Sequence, residues 1–124
     1  MQDKQQYEQL LMQYNQLKNG ALDIANMIER EDYDSAITKI KMREPIFLNC
    51  KCMRRYLELT PEQQVEIDKV YNELKTIEQN NIQTLKQLME NIQSELSRTQ
   101  KLQKLQNAYI HNNEISGNMV NIQE

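Results

Sequence analysis

Glycine and proline are nearly absent from this chain, with two of each in 124 residues, and there is no tryptophan and one phenylalanine. All-β and α/β domains place glycine and proline at their turns, so this supply excludes most of them. Gly20 and Gly117 stand too far apart to build a phosphate-cradling loop. A single histidine, His111, with four serines leaves no material for a nucleophilic triad. No apolar run approaches the ~18–20 residues that span a bilayer. Residues 1–12 also lack the basic-then-apolar order of a secretory signal. These absences predict a soluble, helical, intracellular protein with no enzymatic activity, no cofactor and no membrane insertion. Its work is binding.

What is present fits one domain. A chain of 14.8 kDa should expose roughly 21,000 Å² unfolded and roughly 7,000 Å² when compact, enough burial for one core. Only 39% of residues are hydrophobic and the mean hydropathy is −0.83, so apolar positions must be well placed. Fifteen basic and eighteen acidic residues give a net charge of −3, which argues against nucleic acid. One local excess stands out: Lys39, Lys41, Arg43, Lys51, Arg54 and Arg55 face only Glu44 in that stretch. A solvated helix face explains such a run, and an acidic protein partner is the functional alternative. On a helix, residues two apart point away from each other, so Cys50 and Cys52 read as reduced, partly packed thiols, and no metal site is expected.

Periodicity predicts an all-α protein. Asp3 and Gln6 form a plausible N-cap pair, followed by Tyr7, Leu10, Tyr14, Leu17, Ala21, Ile24 and Ile28 at alternating spacings of three and four. Gly20 costs this helix up to ~1 kcal/mol relative to alanine, which a close helix approach would offset. Glu31-Asp32-Tyr33-Asp34 makes a turn whose acidic residues can cap the next helix. That second helix carries Ile37, Ile40, Phe47, Cys50, Met53 and Leu57, with Pro45 inside it, so a kink near residues 42–44 is expected.

Thr60-Pro61-Glu62-Gln63 is a capping-box start. Helix continues through Val70, Leu74, Ile77, Leu85, Leu88, Ile92, Leu96, Leu102 and Leu105 to Tyr109. At 1.5 Å per residue this third stretch would be roughly 73 Å long against roughly 42 and 37 Å for the first two. The excess must fold back, and a break near residues 94–99 is expected, giving a short fourth helix over 98–110. The expected fold is an antiparallel bundle of three long helices plus that short one. Residues 1–110 form the bundle and residues 111–124 a flexible tail.

Several segments resemble the flagellar export chaperones of the FliT type. They are Glu31-Asp32-Tyr33-Asp34-Ser35-Ala36-Ile37, Met42-Arg43-Glu44-Pro45-Ile46, Ile77-Glu78-Gln79-Asn80-Asn81 before Leu85 and Leu88, and the closing run from Arg98 to Asn107-Ala108-Tyr109. The Cys50/Cys52 pair and the Asn-rich tail depart from the pattern. The resemblance implies a cytoplasmic, non-enzymatic chaperone that binds the C-terminal helical part of the filament-cap protein. It would prevent early assembly and deliver its client to the export ATPase or export gate. Some members also bind a flagellar transcriptional regulator. By the same resemblance Tyr109 is linked to partner binding, and Ile77, Glu78, Asn80 and Asn81 to the client surface.

A client groove is therefore expected along helices two and three, lined by Ile40, Phe47, Leu74, Ile77 and Leu85, with Met53 and Met89 as adaptable contacts. Lys51, Arg54 and Arg55 are candidates for an acidic export partner. Leu102, Leu105 and Tyr109 form a short stripe by which the fourth helix would cover a partner surface and be displaced. Two further readings use the same sequence. A related chaperone group serves hook-filament junction proteins, and a homodimeric coiled-coil scaffold or a non-flagellar helical adaptor would show the same seam.

Overall fold

The computed structural model describes residues 2–91 and 96–121, with side chains over 4–91 and 98–121. Five helices follow one another: α1 (Gln2–Glu29), α2 (Tyr33–Met42), α3 (Glu44–Tyr56), α4 (Pro61–Asn91) and α5 (Leu96–Ile115), with no strand among the described residues. They form an all-helical bundle.

The seam of α1 is buried as its spacing requires. Leu10, Tyr14, Leu17, Ala21, Ile24 and Ile28 are all inaccessible, and Tyr7 is half-buried at the open end. Backbone helix already covers Gln2 and Asp3, so Asp3 lies inside α1 instead of capping it, and its side chain is outside the described residues. After α1 the acidic turn reverses the chain: Glu31 takes a left-handed φ of 61°, and the Asp32 carboxylate accepts a 3.4 Å hydrogen bond from Ser35 N. Tyr33 is buried at the turn. The kink falls at Arg43, between α2 and α3, with Pro45 in the first turn of α3 where its missing N–H costs little. The α4 start is the reciprocal box its sequence announces. Gln63 N donates to Thr60 Oγ1 at 3.2 Å and Thr60 N to Gln63 Oε1 at 3.0 Å.

Cross-helix pairs give the directions. Along α1 and α4 the numbers rise together: Tyr7 donates to Glu66, Lys18 to Glu73 at 2.9 Å, and Asn81 Nδ2 to the Ala21 carbonyl at 2.9 Å. Along α1 and α2–α3 they oppose, with Lys39 near Asp23 (3.9 Å) and Asn49 donating to Gln13 (2.7 Å). Arg98–Glu31 and Lys101–Asp34 (3.1 Å) align α5 with the start of α2. The most extensive helix pairing is thus the parallel one between α1 and α4. Helix two is two helices, not one.

Two apolar clusters fill the interior. One joins Leu10, Tyr14 and Leu17 to Phe47, Cys50, Ile67 and Leu74; the other joins Ile24, Ile28 and Tyr33 to Ile40, Leu85, Leu102, Leu105 and Tyr109. Of the break expected over residues 94–99, residues 94 and 95 lie outside the described residues, and residues 96–99 are helical as the start of α5. The expected flexible tail from residue 111 needs correction, because α5 runs on to Ile115 and Met119 and Val120 are buried against the first cluster. Gly117, at φ +89°, turns the chain back. The Asn113 side chain then brackets Val120, accepting from its N at 2.9 Å and donating to its O at 2.8 Å.

Gly20 marks the close approach of α1 and α2. A Cβ there would meet Arg43 Cδ at 3.3 Å and Lys39 Cε at 3.5 Å. Arg43 is fixed by its own ion pair and cannot retreat. Gly20→Ala should therefore lose its ~1 kcal/mol helix gain to crowding and destabilise the fold by about 1 kcal/mol in urea titrations.

Candidate functional site

The residues expected to form one open groove divide between the two interior clusters. Phe47 and Leu74 belong to the first, where Met53 and Ile77 pack half-buried beside them; Ile40 and Leu85 belong to the second, with Met89 at its edge. Ile40, Phe47, Leu74 and Leu85 are core residues here. α1 covers the first set and α5 the second, because each of those helices brings a complete apolar stripe. Asn80 is exposed, whereas Glu78 and Asn81 are buried, so the polar client surface expected around them is interior. Leu102, Leu105 and Tyr109 are inaccessible on the inner face of α5.

Two helices and the α2–α3 junction contribute polar side chains to one buried layer at this interface. Arg43 arrives from the α2–α3 junction at 3% exposure and pairs with Glu78 of α4 through both terminal guanidinium nitrogens, the Nη2 contact at 3.3 Å. The same Nη2 donates to Asn112 Oδ1 of α5 at 2.8 Å, and Asn112 Nδ2 donates to the Ile40 carbonyl at 3.3 Å. Asn81 donates to Tyr109 Oη at 2.8 Å. The Arg43 guanidinium also lies over the Phe47 ring at 5.1 Å and the Tyr109 ring at 5.8 Å. Burial opposes the charge on Arg43, but the adjacent Glu78 carboxylate and Tyr109 together outweigh it and the net shift is upward, so the guanidinium stays charged. Burial, reinforced by Glu78, pushes the Tyr109 phenol well above its usual value. A gap of only about 10 Å³ remains beside the layer, lined in part by Met119 and Val120. The arrangement holds α5 in one register on α2 and α4.

The spacing along each helix carries this signal, although charge and polarity disguise it. Ile40, Arg43, Phe47 and Cys50 stand three, four and three apart. Leu74, Glu78, Asn81 and Leu85 stand four, three and four apart, and Leu102, Leu105, Tyr109 and Asn112 three, four and three. Each polar residue occupies a seam position on its own helix, and a polar residue on a seam implies a partner on another.

The basic cluster separates into different roles. Arg54 is tied to Asp68 at 3.1 Å and stacks over the Tyr71 ring at 5.4 Å, while Lys51 and Arg55 are exposed. Between α3 and the first half of α1 lies a cleft of about 260 Å³, lined by Gln6, Gln9, Asn49, Cys52, Met53, Tyr56 and Leu57. Both cysteines are free thiols, Cys50 buried and Cys52 exposed. Burial pushes the Cys50 thiol up to about 12. Under a thiol reagent near pH 8, Cys52 should react at once and Cys50 only on unfolding, which colorimetric titration with and without denaturant would show as one fast thiol, then two.

Among the described residues no group of three His, Cys, Asp or Glu side chains could hold a metal ion, and no helix is long and apolar enough to cross a membrane. Comparison with protein-family models, with curated proteins and with solved structures gives no match.

Proposed function

We propose that the chain is a chaperone of the FliT type, acting in the cytoplasm on the C-terminal helices of a filament-cap protein. On this reading α1, α2–α3 and α4 serve as the long-helix receptor and α5 as the movable fourth helix. One observation carries the proposal. The surface beneath α5 joins Ile40 and Leu85 to the polar pair Glu78 and Asn81, and it already accommodates a helix. A client helix that buried more area than α5 would take its place. Of the residues that the resemblance links to client and partner, Glu78, Asn81 and Tyr109 lie at this contact, whereas Ile77 packs beside the first cluster and Asn80 is exposed.

Tyr109 would then be withheld from the export ATPase, the export gate or a transcriptional regulator until the client arrives. Calorimetric titration of the full chain with the C-terminal segment of the filament-cap protein from the same genome tests the reading. One-to-one binding supports it, and no binding at high concentration contradicts it. Binding of a hook-filament junction segment instead would reassign the client. A mass that doubles with concentration, without client binding, would favour the homodimeric scaffold.

A further inference from the structure

Leu48, Lys51, Cys52, Arg55 and Tyr56 recur at spacings of three, one, three and one along α3, the pattern that marks the packed face of an amphipathic helix. Every one of them is exposed, Leu48 to 53% and Tyr56 to 75%. The bundle thus uses the opposite face of α3, through Phe47 and Cys50, and leaves a second ordered face without a partner among the described residues. That face has two parallel ridges one helical turn in repeat. Leu48, Cys52 and Tyr56 form an apolar ridge, and Lys51 and Arg55 a basic ridge beside it. Neither Lys51 nor Arg55 has an ion pair among the described residues. The apolar ridge borders the 260 Å³ cleft against α1, whose lining includes Met53 and Leu57 and, among the described residues, no carboxylate.

We infer that this face of α3 docks an acidic amphipathic helix from a partner protein. Such a helix would set an apolar ridge against Leu48 and Tyr56, with a large side chain entering the cleft. Its flanking Asp and Glu residues would meet Lys51 and Arg55. Charge selects the sign of the partner in a chain whose net charge is otherwise −3. An anionic membrane is the weaker occupant, because two cations give too little attraction to hold a surface that carries only one apolar ridge. The inference is independent of the chaperone reading, since α3 presents this face outward while α5 remains docked.

The test uses the full chain and a synthetic helical peptide carrying a leucine ridge flanked by glutamate, with its lysine-for-glutamate counterpart. Fluorescence anisotropy at low and high salt reads binding, and the alkylation rate of Cys52 reads location. The glutamate peptide should bind, weaken with salt, and slow Cys52 alkylation, while the lysine peptide should not bind. Lys51→Glu with Arg55→Glu should weaken binding roughly tenfold or more at low salt. Tyr56→Ala should weaken it at both salt concentrations, and neither variant should change the thermal melt. Equal binding of the two peptides, or binding untouched by these variants, would overturn the inference. Preferential binding to phosphatidylserine vesicles, or self-association that buries Cys52, would overturn it too.

Discussion

Glu78→Ala should destabilise the protein by about 3–5 kcal/mol, because it leaves the Arg43 guanidinium buried without its counter-charge. Both side chains are nearly inaccessible, at 3% and 6%. Water cannot reach Arg43 to replace the lost carboxylate, and Asn112 can satisfy only one of its nitrogens. A total stability of about 5–15 kcal/mol is ordinary for a domain of this size, so the loss would be a large share of it. Converting both partners together, Arg43→Met with Glu78→Leu, removes the unpaired charge and refills the volume. The double variant should recover most of the stability, although the register it gives α5 would be less well defined. Urea titrations of Arg43→Met alone, Glu78→Leu alone and the double variant form the cycle that measures this coupling. Additive losses would mean that the ion pair is not the element holding these helices together.

Leu105→Ala should cost about 2–5 kcal/mol, since the leucine is fully buried between α5 and the second cluster and α2 and α4 cannot collapse into the space. The functional consequence runs the other way. If a client must displace α5, its observed affinity is reduced by the free energy that keeps α5 docked. Weakening that contact should tighten client binding, roughly tenfold for each 1.4 kcal/mol lost from docking. Leu10→Ala in α1 makes an equally buried deletion away from α5 and should not tighten it. Calorimetry with the client segment distinguishes the two variants, and equal effects would refute the displacement mechanism.

Much of the fold is legible in local sequence. The α1 seam, the Thr60–Gln63 box and the kink ahead of Pro45 each follow from interactions within a few residues. The polar layer was hidden because its members are 35 and 69 residues apart and each is ordinary surface chemistry by type. Glu78 and Asn81 look like client contacts until Arg43 is brought to them by another helix. The strength of α5 docking was also hidden. Its stripe of Leu102, Leu105 and Tyr109 suggests a weakly held helix, yet Asn112, Arg98 and Lys101 add contacts to three different partners. Met119 and Val120 were masked by the asparagines around them, and their burial depends on the left-handed backbone at Gly117 and Asn118.

On the proposed reading α5 stands in for a client helix. Amide hydrogen exchange on the full chain, alone and with the filament-cap segment, tests it directly. In the free protein residues 98–115 should open more readily than residues 61–90, and adding the segment should raise exchange in 98–115 while protecting Ile40, Leu85 and their neighbours. Protection of 98–115 equal to that of 61–90, unchanged when the segment is bound, would contradict it.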